Sequence, residues 1–153
     1  MLNRIVISDA STIIGLSNVD CLNLLANLYS EVEITSVVEN EVGLNLPEWI
    51  LINDNYNEIV YRSLIPMLDD GEASSIALAL ESEGSLLIID ERKGRKHATR
   101  LGLKITGVTG IIIRAKNEGF LKSGKEKLDE LMNQGFRLST KIYELALDKM
   151  NEK

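Results

Sequence analysis

The sequence predicts an α/β fold, a three-layer α/β/α sandwich around a mostly parallel central sheet. Three observations carry this expectation. Short apolar runs alternate along the chain with longer segments of helical periodicity, the pattern of a parallel sheet covered on both faces. Two of the runs, Ile5 to Ile7 and Leu86 to Ile89, are apolar at every position, as strands buried on both sides are. Each is followed by an acid near a strand's carboxyl end, Asp9 and Asp90, where ligands bind in such sheets.

Taken in order, Ile5 to Ile7 is the first strand. Ser11 and Thr12 can cap a helix running from about Ile13 to Tyr29, with Leu22, Leu25 and Leu28 on its apolar side. Val32 to Thr35 reads as a second strand, and Ser36 as the cap of a short helix, Val37 to Val42. Gly43 and Pro47 punctuate the connection after that helix. Trp49 to Ile52 is extended, and a helix covers about Glu58 to Met67. Asp69-Asp70-Gly71-Glu72 opens a helix in which Ala73, Ile76, Ala77 and Leu80 recur at helical spacing, with Gly84 as its end. Leu86 to Ile89 is a strand, Lys93 to Leu101 a basic helix closed by Gly102, and Lys104 to Thr106 a strand. Thr109 starts a helix to about Asn117, and two more follow at Lys125 to Asn133 and Thr140 to Lys149. One domain is expected over residues 1–153, with a core of about 1–117 and C-terminal helices over about 118–150.

A chain of 153 residues buries roughly 70% of its unfolded surface and needs no covalent staple. Its one cysteine, Cys21, has no internal partner, which agrees with a reducing cytoplasm. Met1 to Asp9 has neither the long apolar centre nor the small-residue cleavage site of a signal peptide, and no apolar stretch is long enough to span a bilayer. A cytoplasmic location without membrane contact is therefore expected. The net charge of −6 argues weakly against a polyanionic ligand, but the charge is unevenly distributed.

Four acids stand where chemistry would need them: Asp9 and Asp90 near strand ends, Glu41 in the short helix after the second strand, and Glu72 in the first turn of the Gly71 helix. A parallel sheet can bring all four to one edge. Crowded carboxylates raise each other's pKa unless a cation neutralises them. Oxygen ligands with few histidines select Mg²⁺ or Mn²⁺ over Zn²⁺. Each acid also has a structural reading. Asp9 can end a strand and start a turn, and Glu41 can be a solvated helix acid. Glu72 fits a capping box with Asp69. Asp90 can cap the segment that comes after it.

Motifs extend the reading. Val6-Ile7-Ser8-Asp9-Ala10-Ser11-Thr12 resembles the first-strand signature of PIN domains. Leu68-Asp69-Asp70-Gly71-Glu72-Ala73 resembles the helix start of a subgroup of PIN-like proteins related to the toxin ribonucleases of toxin–antitoxin systems. Leu87 to Arg95, with Ala98 and Leu101-Gly102-Leu103, resembles that subgroup's third signature, and Thr106 to Ile111 its fourth. The stretch Gly135-Phe136-Arg137-Leu138 is also similar. Each motif is short; four in order at suitable spacing make the match specific.

The resemblance implies a PIN-like fold and a metal-dependent endoribonuclease that hydrolyses RNA phosphodiesters with metal-activated water. Asp9, Glu41, Glu72 and Asp90 match the family's four acids, as catalytic residues and metal ligands for Mg²⁺ or Mn²⁺. Many toxin nucleases carry aspartate where Glu72 stands. Glu91 can supplement Asp90 through a water, and Ser11 or Thr12 can hold Asp9 by a hydroxyl hydrogen bond or cap the helix. The resemblance further implies a toxin role, a cognate antitoxin protein as partner and a homodimer. The alternative is a catalytically silent PIN-like module that binds RNA or protein.

The basic segment Arg92, Lys93, Arg95, Lys96, Arg100 and Lys104 lies next to Asp90 in sequence. Lys93, Arg95, Lys96 and Arg100 are the expected RNA-binding residues, holding phosphates beside the acidic site; Arg95 matches an arginine of the motif. Their other reading is a solvated helix face. Rival chemistries fail. His97 is the sole histidine, and a Cys21–His97 pair has no supporting motif. Ser123-Gly124-Lys125 is similar to a phosphate loop but lacks its upstream glycine and its Ser/Thr after the lysine. A phospho-receiver domain needs an acid pair at its first strand and a lysine ending a late strand, and neither is present.

Overall fold

The computed structural model describes residues 4–153; Met1 to Asn3, the start of the stretch tested for a signal peptide, lie outside the described residues. Five short strands form one sheet: β1 (Val6–Ser8), β2 (Val32–Ile34), β3 (Ile50–Ile52), β4 (Leu86–Ile88) and β5 (Lys104–Thr106). Their order is β3-β2-β1-β4-β5, and every pairing is parallel, so the expected mostly parallel sheet is wholly parallel. The helices are α1 (Ala10–Asn18), α2 (Asn23–Tyr29), α3 (Ser36–Val42), α4 (Glu58–Leu64), α5 (Asp70–Ala79), α6 (Arg92–Arg100), α7 (Val108–Asn117), α8 (Gly124–Asn133) and α9 (Thr140–Lys149).

Side chains of a strand alternate between faces, and the two faces of this sheet feed different cores. Val6, Leu86 and Ile88 join residues of α1, α2, α7, α8 and α9, among them Leu16, Leu25, Ile111, Leu128 and Leu147. Ile7, Leu87 and Ile89 point the other way, onto Leu64, Ala73, Ile76 and Ala98 of α4, α5 and α6. Ile34 and Ile50 extend the packing with Ile13, Val38 and Val42 of α1 and α3. This is the three-layer α/β/α arrangement read from the sequence. Among the described residues, no helix is long and apolar enough to cross a membrane.

The strand order runs outward from β1 in one direction through β2 and β3, and from β4 in the other to β5. The switch point therefore lies between β1 and β4. In open parallel sheets the crevice beyond the strand ends opens at such a point, and Asp9 and Asp90 follow the two strands that flank it.

Several boundaries differ from expectation. The helix expected over Ile13 to Tyr29 is two helices. Asp20 takes a left-handed conformation (φ 56°) between them, and the Cys21 N–H returns to the Leu16 carbonyl at 2.8 Å. Aspartate tolerates this conformation better than most residues, so the turn needs neither Gly nor Pro. The Gly71 helix ends at Leu80 and not at Gly84, whose positive φ instead serves the turn into β4. The helix from Glu58 ends at Leu64, short of Met67. Neither Ser11 nor Thr12 caps α1, and Ser36 does not cap α3; Asp9 and Thr35 do.

Candidate active site

Asp9 leaves β1 at the switch point and becomes the N-cap of α1. One of its oxygens, Oδ1, accepts from the Thr12 N–H at 2.9 Å. Its Oδ2 accepts from the Ser11 hydroxyl at 3.1 Å and from the Asp90 N–H at 3.1 Å. The side chain is buried, with 3% exposure. Burial raises its pKa, opposed by the Thr12, Asp90 and Ser11 hydrogen bonds. Capping, one of the two structural roles weighed for Ser11 and Thr12, thus belongs to Asp9, and both residues donate to the acids instead.

Asp90 leaves β4 on the other side of the switch point. Its carboxylate accepts from the Thr12 hydroxyl at 3.0 Å and from the Val108 N–H at 3.1 and 3.2 Å. Val108 is the first residue of α7, whose cap position is Gly107 and carries no side chain. Asp90 supplies the missing acceptor from a distant strand, while Glu91 caps α6 by accepting from the Gly94 N–H at 3.0 Å. The cap expected of Asp90 thus exists, but on α7. Burial and the neighbouring Asp9 charge push the Asp90 pKa up to about 6, against the α7 N–H, the Thr12 hydroxyl and Arg95.

Glu72 lies in the first turn of α5, where Asp69 Oδ1 accepts the Glu72 N–H at 2.8 Å. The Asp69 N–H in turn favours the charged Glu72, as a capping box does. Its carboxyl nevertheless faces the sheet edge with 8% exposure. Burial, then the charges of Asp69, Glu91 and Asp9, push its pKa up to about 8. Capping and membership of an acidic cluster coincide in this residue.

Glu41, exposed on α3, leans on α5. Its carboxylate rests on Gly71 where any Cβ would sit, so a larger residue there would displace it. Thr35 and Ser74 join the two helices through their hydroxyls at 2.7 Å. Partial burial and the nearby Asp69 raise the Glu41 pKa. Gly71→Ala is therefore expected to fold normally, because only the flexible end of Glu41 must yield, yet to lose much of any activity that uses Glu41. Melting temperature and cleavage rate measured together check this; a loss of stability with unchanged rate would make Gly71 a packing residue only.

All four acids line one cleft of about 470 Å³ at the carboxyl edge of the sheet, with Asp69, Glu91, Arg92, Phe136 and Arg137 among its other walls. Asp9, Asp90 and Glu72 each sit at a helix N-terminus, of α1, α7 and α5, where the helix dipole favours negative charge. Among the described residues, none of the four forms a salt bridge.

The basic residues divide. Arg95 turns inward and donates from Nη1 to the Ile89 carbonyl at 2.8 Å, bracing the strand end that carries Asp90. Lys93 is exposed on a neighbouring opening of about 400 Å³ shared with Asp69, Glu72 and Glu91. Lys96 and Arg100 are exposed and line neither space. Sequence reading did not place Asp69, Arg92, Phe136 or Arg137 in the cleft. Asp69 was visible only as a cap, Arg92 as one of a basic run, and the other two only in the resemblance of Gly135 to Leu138.

The donor set suits a hard divalent cation in kind: carboxylate oxygens without histidine, and a glycine cradle that admits the Glu41 carboxylate. Among the described residues, no three such groups are already grouped as a coordination set, so the acids face one cleft without closing on a point.

Comparison with known proteins agrees with this geometry. No curated protein and no solved structure matches the chain significantly. A family model described as a PIN domain matches residues 5–152, from the strand that delivers Asp9 to the tail beyond α9. With a wholly parallel sheet and four acids gathered at its switch point, the chain belongs to the PIN-domain family, a nuclease type of fold.

Proposed function

We propose that this protein is a metal-dependent endoribonuclease, the toxin of a toxin–antitoxin pair, cleaving RNA phosphodiesters in the cytoplasm. The observation that carries the nuclease reading is the cleft that Asp9, Glu41, Glu72 and Asp90 line from four separate segments of the chain. In this reading these four carboxylates hold Mg²⁺ or Mn²⁺. Such an ion, when bound, polarises a phosphoryl oxygen and activates water at neutral pH. The chain's own part is placement. Thr12 fixes both acids of the switch point, by its N–H to Asp9 and its hydroxyl to Asp90. The N–H groups of Asp90 and Val108 complete that frame. Glu91, exposed beside the cleft and half committed to capping α6, is placed to reach it through water. The toxin role, a cognate antitoxin and a homodimer rest on the resemblance of Leu68 to Ala73 and Leu87 to Arg95 to toxin-related PIN proteins.

A catalytically silent module for RNA or protein is the competing reading, and it draws on the carboxylates not being grouped as a coordination set. One experiment separates the two. Melting with and without millimolar Mn²⁺ or Mg²⁺ is expected to show stabilisation by mass action, and RNA cleavage to require the ion. No shift in melting, no heat of metal binding and no cleavage under any metal condition would leave the silent module.

A further inference from the structure

An acid-lined cleft repels the substrate it is proposed to cut. Asp9, Glu41, Asp69, Glu72, Asp90 and Glu91 all line it, and the chain carries a net charge of −6. The cations on its walls are Arg92 and Arg137. Both are exposed, and among the described residues neither forms a salt bridge. They come from unrelated parts of the fold. Arg92 is the first residue of α6, where the positive end of the helix dipole adds to its charge. Arg137 lies on the connection from α8 to α9.

That connection is held firmly. The Phe136 N–H returns to the Leu131 carbonyl at 3.0 Å, and Ser139 caps α9 by accepting from the Ile142 N–H at 3.2 Å. Phe136 and Leu138 are half-buried against the core formed by Leu128, Leu131 and Ala146. Arg137 therefore projects from a backbone pinned on both sides, so less conformational freedom is lost when it binds. Phe136 itself lines the cleft beside it while also packing against the core.

We propose that Arg92 and Arg137 form a two-sided guanidinium clamp that holds the backbone phosphates of a single RNA strand across the cleft, with Phe136 offering its ring to an adjacent base. The proposal rests on the nuclease reading for its substrate, but it concerns binding and is tested apart from cleavage. A guanidinium matches phosphate with two parallel N–H donors, which a lysine ammonium does not. A half-buried aromatic ring gives a stacking surface that does not depend on base identity. The clamp also assigns a task to the C-terminal helices, which carry none of the four acids.

The test is fluorescence anisotropy of a labelled single-stranded oligoribonucleotide with the full chain in EDTA, repeated over a range of salt. Arg92→Ala and Arg137→Ala are each expected to weaken binding roughly tenfold. Each should flatten the salt dependence by about 0.7 in the log–log slope, the value for one phosphate contact on a single strand. Arg137→Lys should keep the salt slope and recover only part of the affinity. Phe136→Leu, which keeps an apolar side chain against the core, should weaken binding with the slope unchanged. Lys141→Ala, an equal loss of charge at an exposed site outside the cleft, should bind as wild type does. The clamp is overturned if the double arginine variant melts normally and binds with unchanged affinity and slope, if Lys141→Ala loses as much, or if wild type binds no RNA. Cleavage by wild type with inert arginines would remove the clamp and leave the nuclease. Arginine-dependent binding with no cleavage in any metal would do the reverse.

Discussion

Asp9→Asn and Asp90→Asn are each expected to reduce the proposed metal-dependent RNA cleavage by at least ~100-fold, with the fold retained. Altering groups that merely support a metal ligand typically costs ~10- to 100-fold, and losing a ligand costs no less. Retention of the fold follows from what each carboxylate does locally. Asparagine caps a helix as well as aspartate, so Oδ1 of Asn at position 9 can still accept the Thr12 N–H that now goes to Asp9. The amide nitrogen then meets the Asp90 N–H, which loses its acceptor. A buried unsatisfied donor costs about 1–3 kcal/mol, partly offset because a buried charge with a raised pKa is removed at the same time. At position 90, Asn still offers one oxygen to Val108 at the start of α7. Circular dichroism and melting establish the fold, and gel-based cleavage with Mn²⁺ gives the rate. Either variant cleaving within threefold of wild type would remove that acid from the proposed metal site.

Glu72→Gln is expected to separate two roles that coincide in one residue, and to remove the upper part of a pH trend in stability. In the folded chain Glu72 is pushed from 4.5 up to about 8, first by burial and then by its acidic neighbours. Between those limits the folded state holds more protons than the unfolded state. The linkage slope is then negative, and metal-free stability falls as pH rises. The Glu72 contribution is fully present below about 4.5 and is lost as pH rises through about 8. Asp90 adds the same sign over a lower window, from 3.8 to about 6. Glutamine mimics the protonated glutamic acid, so the variant should lose the upper part of the slope and be the more stable protein above about pH 8 in EDTA. A divalent ion should flatten the wild-type slope, because it takes over the neutralising role of the proton. Cleavage should fall with the carboxylate. Were Glu72 only a cap, the variant would lose roughly 1 kcal/mol at every pH and keep its activity in the folded fraction. Denaturant titrations in EDTA across this pH range, paired with cleavage rates, distinguish the two outcomes.

The layers of this fold were legible because β1 and β4 are fully apolar and are followed by acids, a pattern that a buried parallel strand imposes by itself. Asp9, Asp90 and Glu72 were legible for the same reason, since strand ends and first helical turns can be placed from local sequence, whereas Glu41, in the last turn of α3, was singled out by the resemblance. What the sequence could not display were contacts between distant segments. Nothing near Asp90 says that its carboxylate will cap α7, because the vacancy is at Gly107 and the two meet only through the pairing of β4 with β5. Arg95 reads as one cation in a basic run, and its turn toward the Ile89 carbonyl depends on how α6 packs beside the sheet. Asp20 divides a segment of continuous helical periodicity with no Gly or Pro to announce it. Arg137 lies more than forty residues beyond Asp90, and only folding brings the α8–α9 connection to the same cleft.

The hydrogen bond between Asp9 and the Asp90 N–H spans 81 residues of chain. A ribosome therefore makes the first acid of the cleft long before the strand that completes the switch point. While β4 is still being synthesised, β1 has only β2 as a neighbour, and the Asp9 carboxylate has nothing opposite it. Domains fold as units during synthesis at roughly 5–20 residues per second. The unfinished chain is thus expected to be harmless for several seconds beside the very message that encodes it. If the chain cuts RNA as proposed, a site that is completed only when β4 has been made keeps the nascent polypeptide from attacking its own template.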